Sequence, residues 1–164
     1  MGKILVTGSE GYIGSILCPI LMKNNYDIIG IDNCYFSDGN INNAKFLPYP
    51  LIKKDIRDIE QNDLIDNNII AIVHLAALSN DPLGFLDEEL TYDINYGSTV
   101  RLAEMANTTG IKKFIFASSC SLYGQSKSIL TENSSSNPQT PYGKSKILAE
   151  KELYKIANDS FSPV

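Results

Sequence analysis

Short apolar runs alternate along the chain with segments in which apolar residues recur at helical spacing, and turns rich in Gly, Asn, Asp and Pro separate them. Lys3-Ile4-Leu5-Val6 has the continuous character of a buried strand, and residues 12–22 carry the helical period. Asn24-Asn25-Tyr26 breaks that period before a second strand at 27–32. Residues 33–50 are polar and Asn-rich, a long excursion with at most one short helix at 41–46, and such loops often border a ligand. A third strand is expected at 51–55 and a short helix at 60–66. Residues 69–77 are the clearest buried strand, continuous and β-branched, and they end in Ala76-Ala77. A loop at 79–86 leads to a long helix over 91–108, stopped by Thr109-Gly110. A fifth strand at 112–117, a polar loop at 125–140 and a last helix from Pro141 complete the series, with Ile147, Leu148, Leu153 and Ile156 turned to the sheet. Strands alternating with helices, with no hairpin pairs, predict an α/β fold: a doubly wound parallel sheet flanked by helices. Ligands of such sheets lie outside the carboxyl ends of the strands, where Gly8, Asp32, Asp55, Ala76 and Ser119 all fall.

The first strand runs into Thr7-Gly8-Ser9-Glu10-Gly11-Tyr12-Ile13-Gly14. Gly8 allows a tight turn off the strand, Gly11 leaves room for a pyrophosphate, and Gly14 lets the helix pack closely on the sheet. Free N–H groups and the positive end of the helix dipole then face the anion. Asp32 ends the second strand at the spacing of about 20 residues at which a carboxylate takes the adenosine ribose hydroxyls.

Composition narrows this further. At 164 residues, 43% hydrophobic and 20% charged, the chain has the size and balance of one soluble domain. No apolar run approaches a membrane span and no signal peptide precedes the first strand, so a cytoplasmic location is expected. The net charge of −5 and the lack of a basic stripe argue against a nucleic-acid partner. Cys18, Cys34 and Cys120 are too few and too scattered for a zinc site or a disulfide framework. His74, the one histidine, sits inside a buried strand and reads as a packed structural residue rather than a metal ligand.

Tyr142 and Lys146 stand one turn apart on the last helix, so they share a face. An ammonium beside a phenol favours the phenolate, which makes the tyrosine a base nearer neutral pH. Ser119, at the end of the neighbouring strand, is placed to hold a substrate oxygen against that phenol. By itself a Tyr and Lys at this spacing is more often a solvated helix face.

The chain resembles the extended short-chain dehydrogenases, the NAD-dependent epimerase/dehydratases of nucleotide sugars. The likeness is an ordered series: the glycine turn, Asp32-Asn33, Asp55-Ile56-Arg57-Asp58, His74-Leu75-Ala76-Ala77, Asn95, Ser118-Ser119-Cys120-Ser121-Leu122-Tyr123-Gly124 and Pro141-Tyr142-Gly143-Lys144-Ser145-Lys146. It implies a Rossmann-type sheet with NAD as cofactor. Gly8, Gly11, Tyr12, Ile13 and Gly14 would line the pyrophosphate, Asp32 with Asn33 would hold the ribose, and Asp55 and Ile56 would flank the adenine. Leu75, Ala76 and Ala77 would pass beneath the cofactor and Asn95 would brace the helix behind it. Tyr142 would be the base, Lys146 would bond the nicotinamide ribose and lower the tyrosine pKa, and Ser119 would orient the sugar hydroxyl being oxidised to a transient ketone.

Two local features refine what the likeness implies. Cys120 and Ser121 stand where sugar dehydratases of the family place Asp-Glu, which favours epimerisation over dehydration. No arginine follows Asp32, which favours NAD over NADP. The resemblance also implies a nucleotide-sugar substrate and a homodimer built on the helices at 91–108 and 141–157. The chain ends where the family's sixth strand begins, so it is expected to be the amino-terminal portion of a protein about twice as long, lacking a substrate domain and with little turnover alone. The competing expectation is a catalytically silent NAD-binding regulatory module, which has no need to keep Ser119, Tyr142 and Lys146 together.

Overall fold

A computed structural model describes residues 2–35, 48–79 and 81–164. The helix expected at 41–46 lies outside the described residues. Among the described residues six strands, all parallel, form one sheet: β1 (Lys3–Thr7), β2 (Ile28–Asp32), β3 (Leu51–Lys53), β4 (Ile69–His74), β5 (Lys113–Phe116) and β6 (Ser162–Pro163). Their order is β3-β2-β1-β4-β5-β6, the dinucleotide-fold order, which reverses direction between β1 and β4. Leu5 pairs with Ile29 and Ile72, and Val6 with Gly30 and Val73, so alternate residues of the central strands feed opposite faces. On one face Leu5, Ile29, Ile31, Ile72 and Phe114 pack with Leu102, Ala106, Leu153 and Phe161. On the other Val6, Ile28 and Val73 pack with Cys18 and Tyr49.

The helices are α1 (Gly14–Lys23), α2 (Gln61–Ile65), α3 (Asp81–Leu86), α4 (Glu88–Tyr92), α5 (Ser98–Thr108) and α6 (Pro141–Ile156). Three features depart from the sequence pattern. The loop expected at 79–86 contains α3, whose Asp81 and Pro82 suit a first helical turn; Asp81 Oδ1 accepts the Thr140 hydroxyl at 2.6 Å, tying α3 to the cap of α6. The helix expected over 91–108 begins earlier and is interrupted by a wide π turn at Asp93–Gly97 between α4 and α5. Hydrophobic period alone does not register such a turn, because the apolar face resumes after it.

The third departure corrects the expectation that the chain ends where the sixth strand begins: that strand is present and pairs with β5. Ser162 N–H donates to Lys112 O at 2.9 Å, Val164 N–H to Phe114 O at 2.8 Å, and Phe116 N–H to Val164 O at 2.7 Å. Phe161, buried against Phe114, anchors this short strand, so its hydrophobic contact sets the pairing.

Candidate active site

The glycine turn fills the space between β1 and α1. Gly8 has φ +71°, and a Cβ there would come within 2.7 Å of Ala76 N, so the turn lies directly on the extension of β4. A Cβ at Gly14 would meet Gly8 O at 2.2 Å, which fixes how closely α1 enters under the turn. Gly11 differs: among the described residues a Cβ there meets one neighbour within 4 Å, Gly8 O at 3.2 Å. The N–H groups of Tyr12, Ile13 and Gly14 have no acceptor among the described residues, while the Tyr12 and Ile13 side chains are exposed. Open space over Gly11 together with free N–H groups at a helix start suits a diphosphate.

At the end of β2, the Asp32 carboxylate is fixed by two backbone donors, Glu10 N–H at 3.0 Å and Cys34 N–H at 2.7 Å. Its position beside the turn is therefore set by the turn itself. Asn33 donates to Asp55 Oδ2 at 3.4 Å and accepts from Tyr35 N–H. Asp55 caps the short turn Ile56–Asp58 through Arg57 N–H and pairs with the Arg57 guanidinium at 2.9 Å, which holds its carboxyl below the usual range. Ile56 is buried in the core, so its backbone is what it can offer a ligand.

The other half of the site lies beyond β4 and β5. Leu75, Ala76 and Ala77 are half-buried continuations of β4. Asn95 sits within the π turn, fully buried; its Oδ1 accepts from Leu78 N–H at 2.8 Å, and its Nδ2 donates to Leu78 O at 3.1 Å and to Ser145 Oγ at 3.2 Å. Ser145 donates in turn to Tyr142 O at 2.7 Å. Lys146 is 3% exposed, donates to Ala117 O at 2.9 Å, and lies over the rings of Phe116 and Tyr142, 4.7 and 5.9 Å from their centroids. Burial lowers its pKa to about 8. The Tyr142 ring is buried, while its hydroxyl has no hydrogen-bond partner among the described residues. Ser119 begins the turn Cys120–Tyr123, its Oγ accepting Ser121 N–H at 3.2 Å, and Ser121 O packs against Gly143. Ser119 thus stands between Ala117, which holds Lys146, and Ser121, which abuts the first turn of α6.

His74 joins the two halves. Its Nδ1 is 2.7 Å from Thr7 Oγ1 and its Nε2 2.8 Å from Thr99 Oγ1. Thr99 donates to Asn95 O at 2.8 Å, so it accepts from His74, which assigns the proton to Nε2 and leaves Nδ1 to accept from Thr7. Burial, with the Lys146 ammonium adding to it, lowers the His74 pKa to about 3, so the ring is neutral. Among the described residues no group of His, Cys, Asp or Glu is placed to hold a metal ion.

A model of the NAD dependent epimerase/dehydratase family matches residues 4–163. The chain belongs to this family. Among its relatives, the putative UDP-glucose 4-epimerase of Methanocaldococcus jannaschii is 36% identical over 162 residues, covering 94% of this chain and 50% of that protein. The UDP-Glc/GlcNAc 4-epimerase from Campylobacter jejuni superposes with a TM-score of 0.88 at 28% identity, over 99% of this chain and 52% of that one. The UDP-glucuronic acid 4-epimerase of Bacillus cereus, solved with UDP-glucuronic acid and NAD, gives 0.86 at 30% identity, over 99% and 55%. The chain spans about half the length of the curated relatives it matches.

The structure gathers the glycine turn, Asp32, Asn33 and Asp55 on one side of the strand reversal, and Asn95, Ser119, Tyr142 and Lys146 on the other, with Ala76 between. Sequence reasoning overlooked Thr7, Thr99 and Ser145, which connect these parts, and Tyr49, which holds Glu10. Ser145 had a signal, since it lies between Tyr142 and Lys146 on the helix. The threonines had none beyond being polar in apolar surroundings.

Proposed function

We propose that this chain binds NAD across the carboxyl ends of β1, β2 and β4 and carries the proton-transfer residues of a nucleotide-sugar epimerase. The observation that carries this reading is that the Tyr142 hydroxyl, unpartnered among the described residues, the buried Lys146 and Ser119 stand on one flank of a strand reversal whose other flank is an open diphosphate cradle. NAD supplies reversible two-electron oxidation of a sugar carbon. Tyr142 takes the proton from the sugar hydroxyl and returns it, Ser119 orients that hydroxyl, and Lys146, held on Ala117 O, keeps a positive charge beside the phenol at neutral pH. Gly8, Gly11, Tyr12, Ile13 and Gly14 hold the diphosphate. Asp32 and Asn33 hold the ribose, Asp55 and the Ile56 backbone the adenine, and Leu75, Ala76 and Ala77 the underside of the cofactor.

The relatives' names point to a uridine-diphosphate sugar as the substrate class, and turnover is assigned to a protein of the relatives' full length. A homodimer through α5 and α6 belongs to the same reading, and the exposed Leu148 and Tyr154 on α6 suit it. So does a cytoplasmic setting, with Cys18, Cys34 and Cys120 free and no described helix long and apolar enough to cross a membrane.

Calorimetric titration with NAD and NADP tests the cofactor half of the reading. NAD is expected to bind at least tenfold more tightly, because the anchored Asp32 carboxylate accepts a ribose hydroxyl and repels a phosphate. Equal affinities would overturn the assignment of Asp32. Tyr142→Phe is expected to keep NAD binding and, in a protein of full length, to abolish epimerisation.

A further inference from the structure

Lys146 is a buried cation without a counter-ion. Among the described residues it pairs with no carboxylate, and its one hydrogen-bond acceptor is Ala117 O at 2.9 Å. A buried charge ordinarily needs a partner of opposite sign. What lies over this one is aromatic. The Phe116 ring centroid is 4.7 Å from Lys146 Nζ, well inside the roughly 6 Å at which a π face attracts a cation, and the Tyr142 ring, at 5.9 Å, is at the limit of that range. Phe116 is itself held. It closes β5, its N–H donates to Val164 O, and its ring stacks on His74 at 6.0 Å and 23°, while Thr7 and Thr99 fix the His74 ring from both sides. Ala117 is the next residue, so one strand end supplies both the carbonyl and the ring. The titratable groups that act on the ammonium are His74 on the neighbouring β4, which is neutral, and Tyr142 and Glu150 on α6; Glu150 favours the charge without pairing to it.

We infer that Phe116 is a positioning residue for Lys146: its π face takes the place of a counter-ion, keeping the ammonium charged and in place for the nicotinamide ribose. The part that concerns the ribose rests on the NAD-binding reading. With one hydrogen on Ala117 O, the ammonium keeps two for the ribose hydroxyls. A ring that only filled space would act with the opposite sign. Removing such a ring admits water and lets a buried lysine rise toward its ordinary pKa, whereas removing an attractive π face makes the charge harder to keep and lowers the pKa further.

The test is an NMR titration of the lysine side chains in the wild-type chain, Phe116→Leu and Phe116→Tyr, with Lys146 assigned by its loss in Lys146→Met and each fold checked by a thermal melt. The wild-type signal is expected to inflect near pH 8. Phe116→Leu should inflect about one pH unit lower, and Phe116→Tyr, which keeps the ring, close to the wild-type value. The wild-type spectrum adds a check that needs no variant: the methylene beside the Lys146 ammonium should lie upfield of those of the other lysines, shifted by the ring current of Phe116. NAD titrations on the same chains read the consequence. With the ammonium form as the one that binds the ribose, Phe116→Leu should be about threefold weaker than wild type at pH 7.5 and nearly equal to it at pH 6. An unchanged or raised inflection in Phe116→Leu, a lowered one that Phe116→Tyr shares, or a Lys146 methylene without the upfield position overturns the inference while the cofactor reading stands. A folded wild-type chain that fails to bind NAD overturns the cofactor reading, and the lysine titration still decides whether the ring holds Lys146.

Discussion

The two flanks of the strand reversal solve opposite problems. On the β1–α1–β2 flank the backbone is left open: among the described residues Tyr12, Ile13 and Gly14 keep unfilled N–H groups, and a Cβ at Gly11 would meet only Gly8 O. On the β4–α5–α6 flank nearly every polar group is filled. Asn95 makes three side-chain hydrogen bonds, His74 two, and Lys146 is buried on a carbonyl between two aromatic rings. An anion-binding surface must keep its donors unspent until the ligand arrives, whereas a proton-transferring phenol must be held in one place before the substrate arrives. Damage to the first flank should therefore appear in binding, and damage to the second in stability.

The largest effect is expected from Asn95→Leu. The substitution is close in size but leaves Leu78 N–H and Leu78 O without their partner in a partly buried place, and takes from Ser145 one of its two hydrogen bonds. Each buried orphan costs roughly 1–3 kcal/mol, so a loss of about 3 kcal/mol in a denaturant titration is the expected outcome, with α6 loosened along with the π turn. A loss under about 1 kcal/mol would show that the network does not carry the second flank.

Gly11→Ala sharpens the contrast from the other side. Its Cβ would meet Gly8 O at 3.2 Å, which a few tenths of an ångström of movement relieves, and no positive φ stands in the way. The melting temperature should stay nearly unchanged while NAD affinity drops about tenfold, a loss of about 1.4 kcal/mol, because the new methyl occupies the space the diphosphate enters. Unchanged affinity would move the cofactor away from Gly11.

The difference between the flanks also explains what could be seen in the sequence. The cradle is written in glycines, which mark backbone requirements directly, and the strand-end Asp32 follows at a fixed distance. The parallel sheet was equally open to reading, because β1, β2, β4 and β5 are continuous apolar runs. The second flank depends on side chains that meet only after folding: Thr7 and His74 stand at the ends of β1 and β4, and Thr99 on α5. No periodic pattern connects them. The π turn was hidden because helix propensity and apolar spacing continue on both sides of it, and α3 was hidden because Asp81-Pro82 suits a turn as well as a helix start. Tyr49 lies near the end of the polar excursion at 33–50 and reads as part of it, although its ring enters the core and its hydroxyl reaches back to the glycine turn.

The most selective effect concerns acid. His74 is buried, neutral, and lowered to a pKa of about 3 by burial, against an ordinary value of about 6.5. Between those two values the unfolded chain takes up a proton that the folded chain refuses, so stability is full above pH 6.5 and falls as the pH drops, by about 1.4 kcal/mol per unit. Lys146, with its pKa lowered to about 8, acts in a separate window: its contribution changes between about 8 and its ordinary value of about 10.5, and stability rises with pH there. The interval from pH 7 to 5.5 brackets the ordinary histidine value, and His74 is the one histidine in the chain, so melts at pH 7, 6.5 and 5.5 report on it. The wild-type chain should lose about 1.4 kcal/mol by pH 5.5. His74→Gln keeps a donor for Thr99 and should start from a lower stability but show almost no slope over the same interval. A wild-type curve that stays flat to pH 5.5 would mean that the ring accepts a proton on Nδ1 inside the fold, with the Thr7 hydroxyl turning to accept from it.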